Sequence, residues 1–169
     1  SHLINNFANP YTLRKLQDVL DLKSITTTEK YTIYLEDAYL LFSLLRYSLK
    51  SVQRIKSPKN VYVIDNGFVS AKAIQHSPDR GKLMENLVFT ELIKRGIKPN
   101  RELFYYKTRN DREVDFALKS GFKITELIQV SYDTTNQDTL QREIKALTEA
   151  GKESDVKKLS ILTWDEKRT

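Results

Sequence analysis

Cysteine is absent from the 169-residue chain, and histidine occurs only twice, at His2 and His76. The lack of cysteine excludes disulfide bonds, Cys-based zinc sites and thiol chemistry, and it is compatible with a reducing, cytoplasmic setting. We expect His76 to be a surface residue. No apolar run approaches the roughly 18 residues that a membrane helix requires, and the first residues lack the pattern of a signal peptide. We therefore expect a cytoplasmic protein with no membrane partner.

Acidic residues are missing from one long window, residues 38 to 64. That window contains five cations, which are Arg46, Lys50, Arg54, Lys56 and Lys59. Over the whole chain the net charge is +6 and the pI is about 9.4. A basic stretch of this kind can meet the phosphates of DNA, or it can be a solvated loop. Composition alone leaves both interpretations open.

The first third of the chain has the periodicity of two short helices. A helix-start signal at Asn9-Pro10 precedes apolar residues at helical spacing, which are Leu13, Leu16, Val19 and Leu20. Thr26 and Glu29 form a capping box that predicts the start of the second helix. Its apolar face is predicted to carry Tyr31, Leu35, Ala38, Phe42 and Leu45. A strand over residues 61–64, closed by a turn at Asn66-Gly67, follows the basic window.

Helix, helix, basic hairpin and strand is the order of a winged helix-turn-helix, which we predict for residues 1–68. In a DNA-binding version, the front of the second helix would face a groove of the DNA through Thr27, Thr28 and Lys30. The basic window would meet phosphates through Arg46, Lys50, Arg54 and Lys56. Many winged helices bind protein instead, so DNA and protein remain alternative partners at this stage.

The rest of the chain, residues 69–169, predicts the order α-β-β-β-α-β. Helices are predicted over residues 81–96 and 139–151, and strands over residues 103–107, 112–119, 124–132 and 157–164. Three strands in meander, followed by a helix that crosses to a fourth strand, give an α/β sandwich on a mixed sheet. The predicted fold class is therefore α/β, or α+β for the chain as a whole.

Two resemblances follow from these motifs. Glu85 in the first helix of this part and Asp115 in its second strand, with that element order, resemble the PD-(D/E)XK nuclease-like fold. The segments LEDAYLLF, KSPKNVYVIDNGF, GKLMENLVFTEL, EVDFAL and ELIQVSY, in this order, resemble the C-terminal half of a prokaryotic AAA-type ATPase family. In that family a P-loop ATPase domain precedes a winged helix and a nuclease-like domain of unassigned function.

The resemblance implies which partners and cofactors to expect. The chain contains no G-x-x-x-x-G-K-[ST] motif, so we expect no ATP site of the P-loop type in it. The ATPase half would then be a missing domain of a longer protein and a partner of this chain. DNA and further copies of the chain are the other partners that we consider. The nuclease-like fold implies Mg²⁺ or Mn²⁺ at Glu85 and Asp115.

The nuclease pattern is incomplete in the third strand of this part. Gln129 and Ser131 stand where the fold would have a glutamate and a lysine, and strand alternation puts both on one face. Gln129 offers an amide oxygen but no charge, so the affinity for a cation should fall. Ser131 cannot place a positive charge near a scissile phosphate.

Three interpretations of these four positions follow, and we rank them in this order. The first is a degenerate site on a scaffold kept for binding. The second treats Glu85 and Asp115 as ordinary structural residues. The third is a working metal-dependent nuclease whose lysine has migrated to Lys145 or Lys123.

The function expected first is a DNA-associating or regulatory module of an AAA-type ATPase, without enzymatic activity of its own. The alternatives are that active nuclease and a protein–protein module that docks the ATPase half.

Overall fold

The computed structural model describes residues 10–67, 79–133 and 135–164. Its first part contains β1 (Pro10–Tyr11), α1 (Leu13–Val19), α2 (Ile25–Asp37), β2 (Leu41–Leu44), α3 (Ser51–Lys56) and β3 (Lys59–Val63). The three strands form one sheet in the order β1-β3-β2, in which β3 pairs antiparallel with both neighbours. Leu16, Leu41 and Val61 form the core between the helices and this sheet.

The second part contains α4 (Arg80–Lys94), β4 (Leu103–Lys107), β5 (Glu113–Ser120), β6 (Lys123–Ser131), α5 (Gln137–Ser154) and β7 (Leu159–Thr163). Its sheet has the order β4-β5-β6-β7, antiparallel as far as β6, with β7 parallel to β6. The predicted order of elements and the mixed helix-and-sheet class are confirmed. Helix α5 makes the crossover from β6 to β7 and buries Ala146, Leu147 and Ala150 against the sheet.

The start of α1 differs from the prediction. Pro10 lies in β1 and not at the head of a helix, and Asn9 lies outside the described residues. Thr12 is the N-cap, and its hydroxyl accepts from the backbone N–H of Lys15 at 3.2 Å. A threonine hydroxyl can satisfy the same unpaired N–H groups as an asparagine side chain. The helix therefore begins after Thr12 and not after Asn9.

Helix α2 both starts and ends earlier in the sequence than predicted. Ser24, and not Thr26, is the N-cap. The helix ends at Asp37, because Tyr39 takes the left-handed conformation with φ of 56°. The N–H groups of Tyr39 and Leu40 then bond to the carbonyls of Glu36 and Leu35 at 2.9 and 3.0 Å, which is a Schellman closure. Phe42 therefore lies in strand β2, and Leu45 follows that strand.

The basic window does not form a plain hairpin. Between β2 and β3 the chain makes the short helix α3, whose first turn is closed by polar contacts. The Ser48 hydroxyl donates to Gln53 at 2.8 Å, and the Arg54 guanidinium donates to the Ser48 carbonyl at 2.9 Å. Arg54 also stands over the ring of Phe104, 5.7 Å from its centroid. The two strands of the predicted hairpin do pair antiparallel, and the structure adds α3 to the loop between them.

The two parts of the chain share a core. Tyr62 of β3 stacks on Phe89 of α4 with ring centroids 4.2 Å apart, and both belong to one buried cluster with Leu44 and Leu103. The two sheets are also joined beyond the end of β2. The backbone N–H of Tyr105 in β4 donates to the Leu45 carbonyl at 3.1 Å, and the Tyr105 carbonyl accepts from the N–H of Tyr47 at 2.7 Å. The boundary predicted between residues 68 and 69 lies outside the described residues and stays a prediction.

Within the described ranges, none of the helices combines the length and the apolar character that crossing a membrane would require.

Candidate functional site

A cavity of about 410 Å³ collects carboxylates from several elements. Its lining includes three of the predicted site residues, Glu85 from α4, Asp115 from β5 and Gln129 from β6. Glu113 of β5 and Glu143 of α5 line it as well. Ser131 lies on the same face of β6 and is 6% exposed, but it is not among the lining residues. The structure therefore brings Glu85, Asp115 and Gln129 together and leaves Ser131 beside them.

Gln129 and Asp115 are tied to each other by the pairing of β5 with β6. The Asp115 N–H donates to Gln129 Oε1 at 3.2 Å, and the Val130 N–H donates to Asp115 Oδ2 at 2.8 Å. Gln129 Nε2 donates to Glu143 Oε2 at 2.6 Å. Both ends of the Gln129 amide are thus engaged. A glutamate at this position could not donate to Glu143, so the glutamine suits a site that already contains that carboxylate.

Two donors to the carboxylates come from β3, in the first part of the chain. The Tyr62 hydroxyl donates to Glu85 Oε1 at 2.7 Å, and Asn60 Nδ2 donates to Glu113 Oε1 at 2.8 Å. Asn60 and Tyr62 are both fully buried, with exposures of 1% and 0%. Strand β3 therefore donates hydrogen bonds to two carboxylates of the site, although it lies outside the predicted nuclease-like part.

Three carboxyl groups of this site, those of Glu85, Asp115 and Glu113, have a raised pKa. Burial raises the pKa of Glu85 from 4.5 to about 8, while the Tyr62 hydroxyl opposes the rise. Burial, and then the negative charge of Glu85, raise the pKa of Asp115 well above its usual value. Burial also raises the pKa of Glu113. Each of these groups faces other carboxylates, so the site favours the neutral, protonated form.

The cations that line the carboxylate cavity are arginines. Arg142 and Arg112 line the cavity. Arg142 is paired with Glu143 at 2.8 Å, and Arg112 is paired with Glu149 at 3.2 Å. Lys145 and Lys123, the two candidates for a migrated lysine, line two other cavities. Neither lysine lines the carboxylate site.

Backbone N–H groups already engage part of the set of oxygens that a metal ion would use. In the part of the chain that the structure describes, no three acidic or histidine side chains are grouped as metal ligands. The Gln129 oxygen accepts from a backbone N–H, and Asp115 Oδ2 does the same. The binding of Mg²⁺ or Mn²⁺ at Glu85 and Asp115 stays a prediction.

Sequence reasoning missed Glu143, Asn60 and Tyr62. A signal for Glu143 was available, because it lies on the same helical stripe as Ala146, Leu147 and Ala150, which α5 buries. A charged residue on an otherwise apolar stripe indicates a polar site beneath the helix. Asn60 and Tyr62 gave no such signal, since their contacts depend on how β3 packs on α4.

A second cavity, of about 670 Å³, is basic. Five cationic side chains line it, against the two carboxylates of Glu153 and Asp155, which leaves an excess of three positive charges. Two of the cations, Arg46 and Lys50, come from the acid-free window. The other three are Lys107, Arg109 and Lys123. The pairing of Tyr47 with Tyr105 brings these separate stretches of sequence together.

The remaining residues predicted to bind nucleic acid are divided between surface and core. Lys30 and Lys56 are exposed, and Thr27 is half-buried. Thr28 is fully buried, and its hydroxyl donates to the Ser24 carbonyl at 3.1 Å, so it does not lie on the outer face of α2. Arg54 is turned inward onto Phe104. Contact with DNA stays a prediction for the exposed residues of this set.

Comparison with known proteins finds one family and two relatives. The model of the DUF4143 family, a domain of unknown function, matches residues 80–169, and this domain is generally found in the C-terminal region of ATPase-associated proteins. An uncharacterized protein of Methanocaldococcus jannaschii is 37% identical over 170 residues, which cover 97% of this chain and 37% of that protein. An uncharacterized protein of Haemophilus influenzae is 24% identical over 107 residues, which cover 63% of this chain and 25% of that protein. The chain thus spans well under half the length of the curated relatives that it matches. No solved structure matches it.

Proposed function

The chain belongs to the DUF4143 family, and from that premise we propose that it is a DNA-associating, regulatory module of a longer ATPase, with a nuclease-like site that does not cleave. The proposal treats the first part as a winged helix-turn-helix, which the sheet order β1-β3-β2 beside α1 and α2 supports. It treats the second part as nuclease-like, which the mixed sheet with α4 and α5 supports.

The basic cavity is the observation that carries the proposed DNA association. Its cations come from both parts of the chain and outnumber its carboxylates by five to two. Lys50, Arg109 and Lys123 are exposed, so a phosphate can reach them without rearrangement. Phosphate contacts supply most of the non-specific affinity of a protein for DNA and release counterions when they form.

The carboxylate site supports the second half of the proposal. A nuclease needs charged carboxylates for its cation and a positive charge near the attacking water. Here burial raises the pKa of Glu85 and of Asp115, and Gln129 is neutral. The arginines at the site are paired with glutamates. The proposed role of this site is to hold β3, α4, β5, β6 and α5 together through hydrogen bonds.

The test of DNA association is fluorescence anisotropy with a labelled duplex over a salt series of about 50 to 200 mM. We expect binding that weakens steeply as salt rises, and we expect Lys50→Ala and Arg109→Ala each to weaken it and to flatten the salt dependence. Lys98→Ala is the matched control, since Lys98 is an exposed lysine outside the lining of the basic cavity. A protein with no measurable affinity at low salt would remove the DNA part of the proposal.

The test of the carboxylate site is incubation with plasmid and single-stranded DNA in Mg²⁺ or Mn²⁺. We expect no cleavage by the protein and none by Asp115→Asn. Cleavage that disappears in Asp115→Asn would make the active nuclease correct. Cleavage by Ser131→Lys alone would mean that the site still binds a metal and has lost only its lysine.

Docking to the ATPase half is a second candidate function, and one observation favours it. Leu49, just before α3, and Val52 and Ile55 within it follow one another at every third residue and are 77%, 64% and 71% exposed. Aliphatic side chains on an outer helical face are typical of protein contacts. Val52→Ser, which adds no charge beside the basic cavity, should weaken association with the rest of the longer protein and leave DNA affinity unchanged if this surface docks protein.

A further inference from the structure

Phe122 is exposed at the edge of the basic cavity. It lies in the two-residue turn between β5 and β6, is 89% exposed and lines the cavity. Gly121 precedes it with φ of 59°, the conformation that the first position of a type II′ turn requires. The Tyr47 hydroxyl donates to the Phe122 carbonyl at 3.2 Å, so the turn is tied to the cavity wall. A phenylalanine ring exposed to water loses about 2 to 3 kcal/mol of the stabilisation that its burial would give. Packing of the fold does not require a phenylalanine at this position.

The wall beneath this ring is aromatic. Tyr47 and Tyr106 stack with their centroids 6.3 Å apart and their planes at 25°, and both line the cavity. The Tyr106 hydroxyl and the Arg109 N–H donate to Glu153 at 3.2 and 3.0 Å. The Glu153 carboxylate is thus bonded to the wall, and the exposed Lys50, Arg109 and Lys123 surround the opening.

Exposed rings and lysines together have the chemistry of single-stranded nucleic-acid sites. In such sites a cationic groove follows the phosphates, and an aromatic ring stacks on a base. A duplex keeps its base faces inside the stack, so it cannot use a ring such as Phe122 in this way. A protein partner would gain little from the cavity, because its lining carries more charged than aliphatic side chains.

We propose that the basic cavity binds single-stranded DNA, with one unpaired base stacked on Phe122 and neighbouring phosphates held by Lys50, Arg109 and Lys123. The inference rests on the proposed DNA association and narrows its ligand from DNA in general to an unpaired strand.

The experiment compares labelled oligo-dT with a duplex of equal length in fluorescence anisotropy, using the whole chain. We expect tighter binding of the single strand. Phe122→Ala should lower the affinity for the single strand about ten-fold and leave duplex affinity unchanged. Trp164→Ala is the matched control, because Trp164 is an aromatic residue that is 57% exposed and lies outside the lining of this cavity. Phe122 is so exposed that its removal should leave the melting temperature unchanged.

A second readout reports stacking directly. Phe122→Trp in a Trp164→Phe background places the only tryptophan of the chain at the turn. Its fluorescence should be quenched by oligo-dT and not by the duplex.

Two outcomes separate the inference from the function on which it rests. If single strand and duplex bind equally and Phe122→Ala changes neither, the inference is overturned, while the proposed DNA association stands. If neither ligand binds at low salt, both fail. Equal losses for both ligands in Phe122→Ala would also overturn the stacking role.

Discussion

Glu85 illustrates at the residue scale how burial couples stability to pH. Its pKa of about 8 in the folded chain lies above its ordinary value of 4.5. Between these two values the folded protein holds a proton that the unfolded protein has released. The stabilising contribution of protonated Glu85 is therefore fully present below about pH 4.5. As the pH rises toward 8, the free energy of unfolding falls by about 1.4 kcal/mol per pH unit for one such group. Asp115 and Glu113, whose pKa values are also raised, act in the same direction.

Replacing Glu85 with glutamine should remove the part of this pH dependence that Glu85 contributes. The glutamine side chain can still accept from the Tyr62 hydroxyl and carries no charge to be buried, so Glu85→Gln should match the original protein near pH 5 and be more stable near pH 9. Thermal denaturation followed by circular dichroism at several pH values measures this. Glu91→Gln is the control, because Glu91 is a glutamate on the same helix whose pKa is lowered by Lys94. A Glu85→Gln protein that keeps the original pH profile would contradict the raised pKa.

The end of α2 shows at the element scale what the sequence could not indicate. Apolar spacing continued through Ala38 to Phe42 and Leu45, and so predicted a longer helix. The helix ends because Tyr39 adopts φ of 56°, a conformation that sequence patterns associate with glycine or asparagine. The long periodic elements α4, α5 and β4 to β6 were predictable, because their patterns match the buried faces that the fold requires. The short α3 depends on local polar contacts, which periodicity does not report.

The strain at Tyr39 can be measured. Tyr39→Gly should be more stable than Tyr39→Ala by about 1 kcal/mol, because both lose the ring and only glycine adopts a positive φ without strain. The difference in their urea denaturation midpoints measures it, and the shared loss of the contact between Tyr39 and Phe42 cancels. Equal midpoints would mean that the helix closes in another way.

The whole molecule does not divide where the family match begins. The DUF4143 match starts at residue 80, but the core that it requires includes Leu44 and Tyr62. The carboxylate site also combines residues from both parts of the chain. The nuclease resemblance implied that Asp115 and Gln129 would lie together, and the pairing of β5 with β6 places them in contact. The contacts of Glu85 with Tyr62 and of Glu113 with Asn60 join distant stretches of chain, and no local pattern encodes them.

Residues 80–169 produced alone should therefore fold poorly. They would expose Phe89 and Leu103 and leave the edge of β4 without its partners at Leu45 and Tyr47, which favours aggregation. We expect binding of a hydrophobic dye and no cooperative thermal transition. In the whole chain Leu44→Ala should cost about 2 to 5 kcal/mol. A sharp transition of the isolated part, at the midpoint of the whole chain, would show that the shared core is dispensable.

The stack of Tyr62 on Phe89 also has a consequence for how such chains evolve. Tyr62 contacts a ring through its face and a carboxylate through its hydroxyl, and both contacts lie in the other part of the chain. Substitution of Tyr62 by a smaller residue would leave a cavity beside Phe89 and would also remove the hydrogen-bond donor to Glu85. Lineages that alter this position must alter the facing positions as well. We therefore expect that a recombination event that exchanged one of the two halves would preserve the fold only if it brought matching partners for Tyr62.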